Sequence, residues 1–514
     1  MPSIFLNTYF LQVFLVIGPA FILYGYNQAG LSALLNLPDC VHHFPQVDTL
    51  NTSGATKSEN STIQGVVNGC FQLGALFGSL SCSIVGDQLG RRKTILAGAL
   101  LAGIGQILQC TSFNLAQFVV GRAILGFGVG QLSVTIPVWQ SEISAAGKRG
   151  RRVITAGIFI CVGFTMSSWI NFGFTKVQSE ALQWRVPLAL PFIFSVIICL
   201  SIFSLPESPR WLVQSGQIAK ATETLASLNG LTVNNSYVRS EIETIQHALE
   251  TASQGSLKDV FDPNDQSRLR YRFTLCLVIQ ALQQLVGGNL ISIYTTKIFR
   301  DNLHLDGDLP QILAASSLTW KFLCSFIAFA VVDRFGRRLI FVVSGTGMSI
   351  CMVVMAIATS FPGSNKAASI VAATFVFIFN LCYPIGFLGG NFLYCTEIAP
   401  VRLRVAMSSI STANHWLWNF IIAMITPVAL ENIGWRYYIV FAVMSACVPL
   451  IVLPFFPETM NRNLELIDGV FREARSIWDI VPLARKLPQG DVSPETGPLE
   501  KKGMMDSTEH KEFA

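Results

Sequence analysis

The stretch Asp87-Gln88-Leu89-Gly90-Arg91-Arg92 recurs as Asp333-Arg334-Phe335-Gly336-Arg337-Arg338, displaced by 246 residues. In each copy a carboxylate is followed by a glycine and two arginines, and each copy stands between two long apolar runs. Two further landmarks repeat in the same order. Glu142 with Arg149 seven positions on recurs as Glu397 with Arg404, displaced by 255, and Pro206-Glu207-Ser208 recurs as Pro457-Glu458-Thr459, displaced by 251. Three landmarks at nearly one displacement indicate a chain built from two copies of one unit. A lone Gly-Arg-Arg turn would signal only topology, because basic residues collect on the cytoplasmic side of membrane helices. Recurrence in both halves gives it a structural role, as a set of fixed cations able to latch acids on a neighbouring helix end. Glu142 with Arg149 and Glu397 with Arg404 are read the same way, as paired networks at a gate.

Outward from these turns, apolar runs of the roughly 17 to 25 residues needed to cross a bilayer core number about twelve. They lie near 10–30, 63–85, 94–111, 115–138, 153–173, 186–205, 273–293, 310–332, 339–360, 368–392, 405–429 and 436–456. Six precede and six follow the polar segment 206–271, in which 219–228 and 238–249 show helical spacing of apolar residues. The expected fold is an all-α integral membrane protein with twelve transmembrane helices in two pseudo-symmetric six-helix bundles. Residues 1–205 and 272–457 form the bundles, 206–271 a central cytoplasmic helical loop, and 458–514 a largely disordered cytoplasmic tail. Transporters rock two such repeats against each other. Composition points the same way: 514 residues that are 51% hydrophobic, 13% charged and +0.49 in mean hydropathy exclude a soluble or disordered chain. A net charge of +5, thinly spread, excludes a nucleic-acid binder. Of twelve cysteines only Cys40 sits in a polar loop, so neither a disulfide framework nor a CxxC metal pair follows.

Orientation follows from Arg91-Arg92-Lys93, Lys148-Arg149-Gly150-Arg151-Arg152, Arg334 with Arg337-Arg338, and Arg402 with Arg404, which all fall on even-numbered turns or the central loop. Those turns are cytoplasmic, as are both termini, and a multi-pass protein of the plasma membrane is expected. The first run reads as a retained helix rather than a signal peptide. The outer loop 37–62 carries Asn51-Thr52-Ser53 and Asn60-Ser61-Thr62, glycan acceptors if the chain traverses a secretory pathway.

In helix seven, Gln280, Gln283, Gln284 and Asn289 place four amides in an otherwise apolar run, and polar side chains inside a membrane are functional by default. The structural alternative is interhelical glue. On an ideal helix Asn289 points roughly 140° away from Gln284, so a single binding face requires the backbone to unwind, and Gly287-Gly288 permits that. Amides donate and accept as a hydroxyl does, which suits an uncharged polyhydroxyl substrate. Lys321, twelve residues before Asp333, sits roughly 18 Å inside the membrane at about 1.5 Å per residue. It either faces a cavity, as a substrate-facing cation, or is tied to an acid or to carbonyls.

Asp-x-x-Gly-Arg-Arg in both halves, Gly121-Arg122 followed by Gly126-x-Gly128-x-Gly130, Pro206-Glu207-Ser208-Pro209-Arg210-Trp211-Leu212, Gln283-Gln284-Leu285-x-Gly287-x-Asn289 and Pro457-Glu458-Thr459 together resemble the sugar porter family of the major facilitator superfamily. The long first outer loop and Trp184-Arg185-x-Pro187 are most similar to its fungal members. The resemblance spans nearly all of 10–470. It implies the twelve-helix fold, carriage of monosaccharides, polyols, disaccharides or sugar-like acids, and sugar contact by Gln283, Gln284 and Asn289. Gly126, Gly128 and Gly130 then read as close helix packing. A nucleotide loop is disfavoured, since no Gly-Lys-Ser/Thr motif occurs.

Four departures set this pocket apart from the family's glucose pocket. Gly157 stands where many hexose carriers have glutamine, Lys321 where they have asparagine, and Phe392 where a tryptophan follows the helix-ten prolines. Helix eleven reads Asn414-His415-Trp416, where the family places asparagine directly before the tryptophan. Asn414, His415 and Trp416 therefore join the candidate substrate-binding residues. Fungal permeases for quinate and galacturonate are similar in carrying a lysine at position 321, which keeps an acidic substrate open. Asn27, in Gly25-Tyr26-Asn27, replaces the aspartate of the family's proton symporters near Arg122. An amide has no proton to exchange.

The reading is an alternating-access carrier of a monosaccharide or similar polyol, facilitative in mode. Proton-coupled symport of a sugar, polyol or sugar-like acid, and a transporter-like sugar sensor, are the alternatives. The turns at Asp87, Arg91, Arg92, Asp333 and Arg337 latch the cytoplasmic side. No enzyme chemistry, cofactor or metal is expected. The partners are the small polyhydroxyl substrate and the lipid bilayer, without nucleic acid, for a chain expected to be monomeric.

Overall fold

The computed structural model describes residues 10–486, apart from 36, 50, 145–148, 178–179, 252–259, 261–264, 266, 303–306, 362–364, 401–402, 461 and 463. The first half contributes α1 (Phe10–Ala29), α2 (Gly54–Leu89), α3 (Arg91–Cys110), α4 (Leu115–Glu142), α5 (Gly150–Phe174) and α6 (Leu182–Ser204). The second contributes α7 (Leu269–Arg300), α8 (Leu309–Phe335), α9 (Arg337–Ser360), α10 (Lys366–Ile398), α11 (Arg404–Asn432) and α12 (Arg436–Phe455). Eleven of these are both long and apolar enough to cross a membrane. The other, α11, has the length, at 29 residues, but its apolar run is diluted by an inward row that includes Ser408, Thr412, His415 and Asn419.

The repeated turn is built identically in both halves. α2 ends at Gly90 and α8 at Gly336, each with φ +83°, a left-handed conformation that glycine adopts without strain. α3 and α9 then start at the following arginine. Between α2, α3 and α4 the packing is limited by backbone: a Cβ on Gly126, Gly128 or Gly130 would collide with the carbonyls of Phe71, Gly98 and Ala75 respectively. Small residues at such crossings let membrane helices approach to van der Waals contact of their main chains.

The segment after α6 holds helices Pro209–Gln214, Ile218–Asn229 and Ser236–Thr251, joined by Leu212, Val213, Ala221, Ile242 and Ile245. The tail departs from expectation. Within the segment 458–514, expected to be largely disordered, helices Leu464–Glu473 and Ile477–Lys486 follow α12; residues beyond 486 lie outside the described residues. Ile467, Val470, Phe471, Ile480 and Ala484 turn into the main core, and Asp468 pairs with Arg272 at 2.5 Å. An amphipathic stripe at helical spacing, bracketed by charge, folds once it has a bundle to lie on.

The outer loop also corrects two expectations. Cys40 is 2% exposed, in helix Pro38–His43, and is packed with Phe44 and Trp184 in an apolar cluster rather than standing in a polar loop. Asn60 is buried, with Nδ2 donating to Asp48 O at 2.7 Å, so it offers no free amide to a glycan here. Asn51 is exposed and bonds Asp48 Oδ2 at 3.1 Å.

Candidate functional site

The centre of the molecule is organised by a break in α7. Its inner part ends at Leu285 and its outer part starts at Gly288, with Gly287 at φ +90° between them. The break turns Asn289 back onto Gln284, whose Oε1 accepts from Asn289 Nδ2. Gln284 Nε2 also donates to Gln283 Oε1 at 2.8 Å and lies 3.0 Å from the ring nitrogens of His415. Gln283 Nε2 donates to Tyr383 OH at 2.6 Å. One turn toward the start of α7, Gln280 Oε1 accepts from Asn391 Nδ2 at 2.7 Å.

This cluster joins the two halves. From α1, Gln28 Nε2 donates to Asn289 Oδ1 at 3.1 Å and Tyr24 OH meets His415 Nε2 at 3.1 Å. Buried polar networks of this kind hold only while every member is satisfied, so each cross-half bond needs a replacement when the halves separate. Four of these residues, Tyr24, Gln28, Tyr383 and Asn391, escaped the sequence reading. Gln28, an amide in an apolar run, carries the signal that flagged α7.

The helix-eleven candidates divide. His415 enters the amide cluster. Trp416 is buried beside it, with Nε1 donating to Ser133 Oγ at 3.2 Å and its ring 5.0 Å from that of Tyr24. Asn414 is not brought to the cluster: it points around the helix, and its Nδ2 donates to Leu277 O at 2.9 Å. Gly157 has no room for a side chain, since a Cβ there would lie 2.6 Å from Leu388 O. That carbonyl is delivered by a second break, at Gly389 in α10 (φ +87°).

Lys321 is 1% exposed. Its Nζ donates to Ser292 Oγ at 2.6 Å and stands 4.4 Å from the Tyr383 ring and 5.0 Å from that of Phe164. Tyr383 links it to Gln283. Ser292 links it to a cavity of about 490 Å³ near the starts of α2 and α8, whose lining also includes Asn68, Asn171 and Thr295. Three cations, Lys57, Lys297 and Arg300, line that cavity, and among the described residues no carboxylate does. On α1, Asn27 Nδ2 donates to Leu23 O within its own helix at 2.9 Å, while Arg122 Nη1 donates to Asn27 O at 3.2 Å.

Where α2 and α8 end, the repeat becomes a pair of matching clamps. Arg91 forks onto Glu142 (Nε to Oε2 2.9 Å, Nη2 to Oε1 2.9 Å) and reaches Asp87 at 3.1 Å. Arg337 forks onto Glu397 (3.1 and 2.8 Å) and reaches Asp333 at 3.2 Å. The main-chain N–H groups of Arg91 and Arg92 donate to Glu207, and those of Arg337 and Arg338 to Glu458, at 2.9–3.2 Å. Burial pushes the Glu207 carboxyl above its ordinary value, against those N–H bonds. Such bidentate pairs are the strong form of ion pair.

The expected pairing of Glu397 with Arg404 is corrected by this geometry. Glu397 is occupied by Arg337, and buried Arg404 donates Nε to Thr396 O at 3.2 Å. Glu142 is likewise held by Arg91; the Arg149 side chain lies outside the described residues. A bond joins the two halves at this end: Arg151 N donates to Asp333 Oδ2 at 3.1 Å, with Arg151 Nε 3.7 Å from the same oxygen.

Residues 12–471 match the family described as Sugar (and other) transporter. MFS-type transporter oryC of Aspergillus oryzae is 33% identical over 491 residues, 93% of this chain and 89% of that protein. Sugar transporter STL1 of Saccharomyces cerevisiae is 30% identical over 472 residues, 91% of this chain and 81% of that protein. Among solved structures, the proton:xylose symporter XylE of E. coli, bound to 6-bromo-6-deoxy-D-glucose, superposes with a TM-score of 0.79 at 22% identity, covering 90% of this chain and 99% of that one.

Proposed function

The chain belongs to the sugar transporter family of the major facilitator superfamily, and from that premise we propose that it carries a monosaccharide or similar polyol across the plasma membrane by alternating access, as a facilitative monomer with both termini cytoplasmic. The observation that carries this reading is the amide cluster at the α7 break, where Gln284 and Asn289 of one half meet Tyr24 and Gln28 of the other through His415 and direct bonds. Substrate hydroxyls, each donor and acceptor, replace these cross-half bonds one for one, and the two halves then exchange partners without leaving buried groups unpaired. The closed side is cytoplasmic, held by Arg151 on Asp333; the cavity above Ser292 is the approach from outside. A carrier needs only comparable affinity in its two forms, since a ligand binding both equally shifts neither.

Facilitation is supported by Asn27, which puts an amide rather than a carboxylate where α1 meets Arg122. A second reading, an acidic polyhydroxyl substrate, is favoured by Lys321 behind Ser292 and by the cations lining the cavity. Uptake of radiolabelled hexoses, pentoses, polyols, quinate and galacturonate into transport-deficient cells separates the two. Saturable uptake of a neutral sugar supports the first, saturable uptake of a carboxylate alone supports the second, and uptake of nothing removes the carrier reading in favour of a sensor.

A further inference from the structure

Asn419 is fully buried on α11, and among the described residues neither its Oδ1 nor its Nδ2 has a hydrogen-bond partner. Its direction follows from its neighbours one turn away on either side. His415 meets Gln284 and Tyr24, and Ala423 O accepts from Tyr294 OH of α7 at 2.8 Å. Residues four apart are separated by only about 40° around a helix, so Asn419 shares their inward face. The opposite face, with Leu417, Ile425 and Val428, is exposed. Farther out along α11, Pro427 and Leu430 line the outer cavity. Asn419 therefore stands between the amide cluster and that cavity, about 6 Å outward of His415 at about 1.5 Å per residue.

A carboxamide at membrane depth with four idle hydrogen-bonding positions destabilises the state that holds it. The amides of α7 are engaged: Gln283 with Tyr383, Gln284 with His415, Asn289 with Gln28. Two buried amides, Asn419 and Asn380 of α10, keep both a donor and an acceptor unpartnered among the described residues, which is the complement of a hydroxyl, and of the two it is Asn419 that stands on α11 between His415 and the cavity. We propose that Asn419 is a substrate-contacting residue that donates to and accepts from one hydroxyl of a polyhydroxyl substrate lying between the His415 and Asn419 levels, and so sets specificity at that hydroxyl. The proposal rests on the carrier reading above. A site built to bond a hydroxyl discriminates strongly against the analogue that lacks it, because its own polar atoms are then left unpaired.

The test uses the full chain in proteoliposomes, with whichever of D-glucose, D-fructose and D-xylose the wild type exchanges fastest, together with the monodeoxy analogues of that sugar. Asn419→Leu, close in volume and apolar, is expected to unfold at a temperature equal to or above that of the wild type without sugar, because an idle polar group has been removed. Its half-saturation constant for the parent sugar is expected to rise about tenfold, the loss of one hydrogen bond. For one deoxy analogue the gap between Asn419→Leu and wild type should vanish, while the other analogues keep it. Unchanged half-saturation, or a fall in thermal stability with unchanged selectivity, would assign Asn419 to the scaffold and overturn the proposal. If Asn419→Leu does not fold, Asn419→Ala is read by the same deoxy comparison. Gln284→Ala run alongside distinguishes the failures: weakened exchange in Gln284→Ala but not at position 419 leaves the carrier reading standing alone, whereas no exchange of any of the three sugars by the wild type removes both.

Discussion

Gln284 is the residue on which the centre turns, with bonds to Gln283, His415 and Asn289. Gln284→Ala leaves all three partners without that bond and is expected to raise the half-saturation constant about tenfold, measured as zero-trans uptake at matched surface expression. Unaltered kinetics would separate the amide cluster from the substrate. Lys321→Gln keeps a polar group near Ser292 and Tyr383 but removes the charge. It is expected to abolish uptake of quinate and galacturonate, where these are carried, and to spare neutral sugars; poor expression with equal loss for every substrate would make the lysine structural. At this scale Gln283, Gln284 and Asn289 were legible because amides are rare in apolar runs. Their partners were not, because those bonds join positions 100, 131 and 261 residues apart, a pairing that only the packed bundle determines.

At the scale of elements, the break in α7 was legible and the break in α10 was not, for a geometric reason. In α7 two polar residues on opposite helix faces could share a site only if the backbone unwound between them, and Gly287-Gly288 lay there to do it. In α10 the residues within four of Gly389 include a single amide, Asn391, with no second polar group on an opposite face to demand unwinding, so the run 368–392 reads as one continuous helix. The tail helix Leu464–Glu473 was hidden differently, since its apolar face is too short to signal a folded element without α7 beneath it. The two breaks predict unequal tolerance. A side chain at either positive φ is strained by roughly 1–2 kcal/mol, but at Gly287 a Cβ would also lie 2.6 Å from Met352 Cε, whereas at Gly389 its nearest neighbour, Ile154 Cα, is 3.5 Å away. Gly287→Ala is therefore expected to lower the melting temperature of the purified protein further than Gly389→Ala; the reverse order would show that α10 carries more of the strain.

Over the whole molecule, the clamps and the centre divide the work of transport. Arg91 on Glu142 and Arg337 on Glu397 are bonds within a half, while Arg151 on Asp333 is a bond between halves and must break if the halves part at that end. Asp333→Asn weakens that bond and is expected to speed amide exchange at the start of α5 and the end of α8; protection equal to wild type would place the closing contact elsewhere. The proposal of facilitative transport rests on Asn27. Arg122 reaches the backbone carbonyl of that residue and its guanidinium lies 4.9 Å over the Phe71 ring, so a carboxylate at position 27 would stand beside a buried cation and titrate with the conformation. The amide has no proton to give or take. Sugar influx into proteoliposomes is therefore expected to be indifferent to an imposed pH gradient and to stop at equal concentrations on the two sides. Asn27→Asp installs the missing acid next to Arg122 and should make transport pH-dependent where the parent is not. Accumulation against a gradient by the parent protein, abolished by a protonophore, would place the coupling proton on another group and end the facilitative reading.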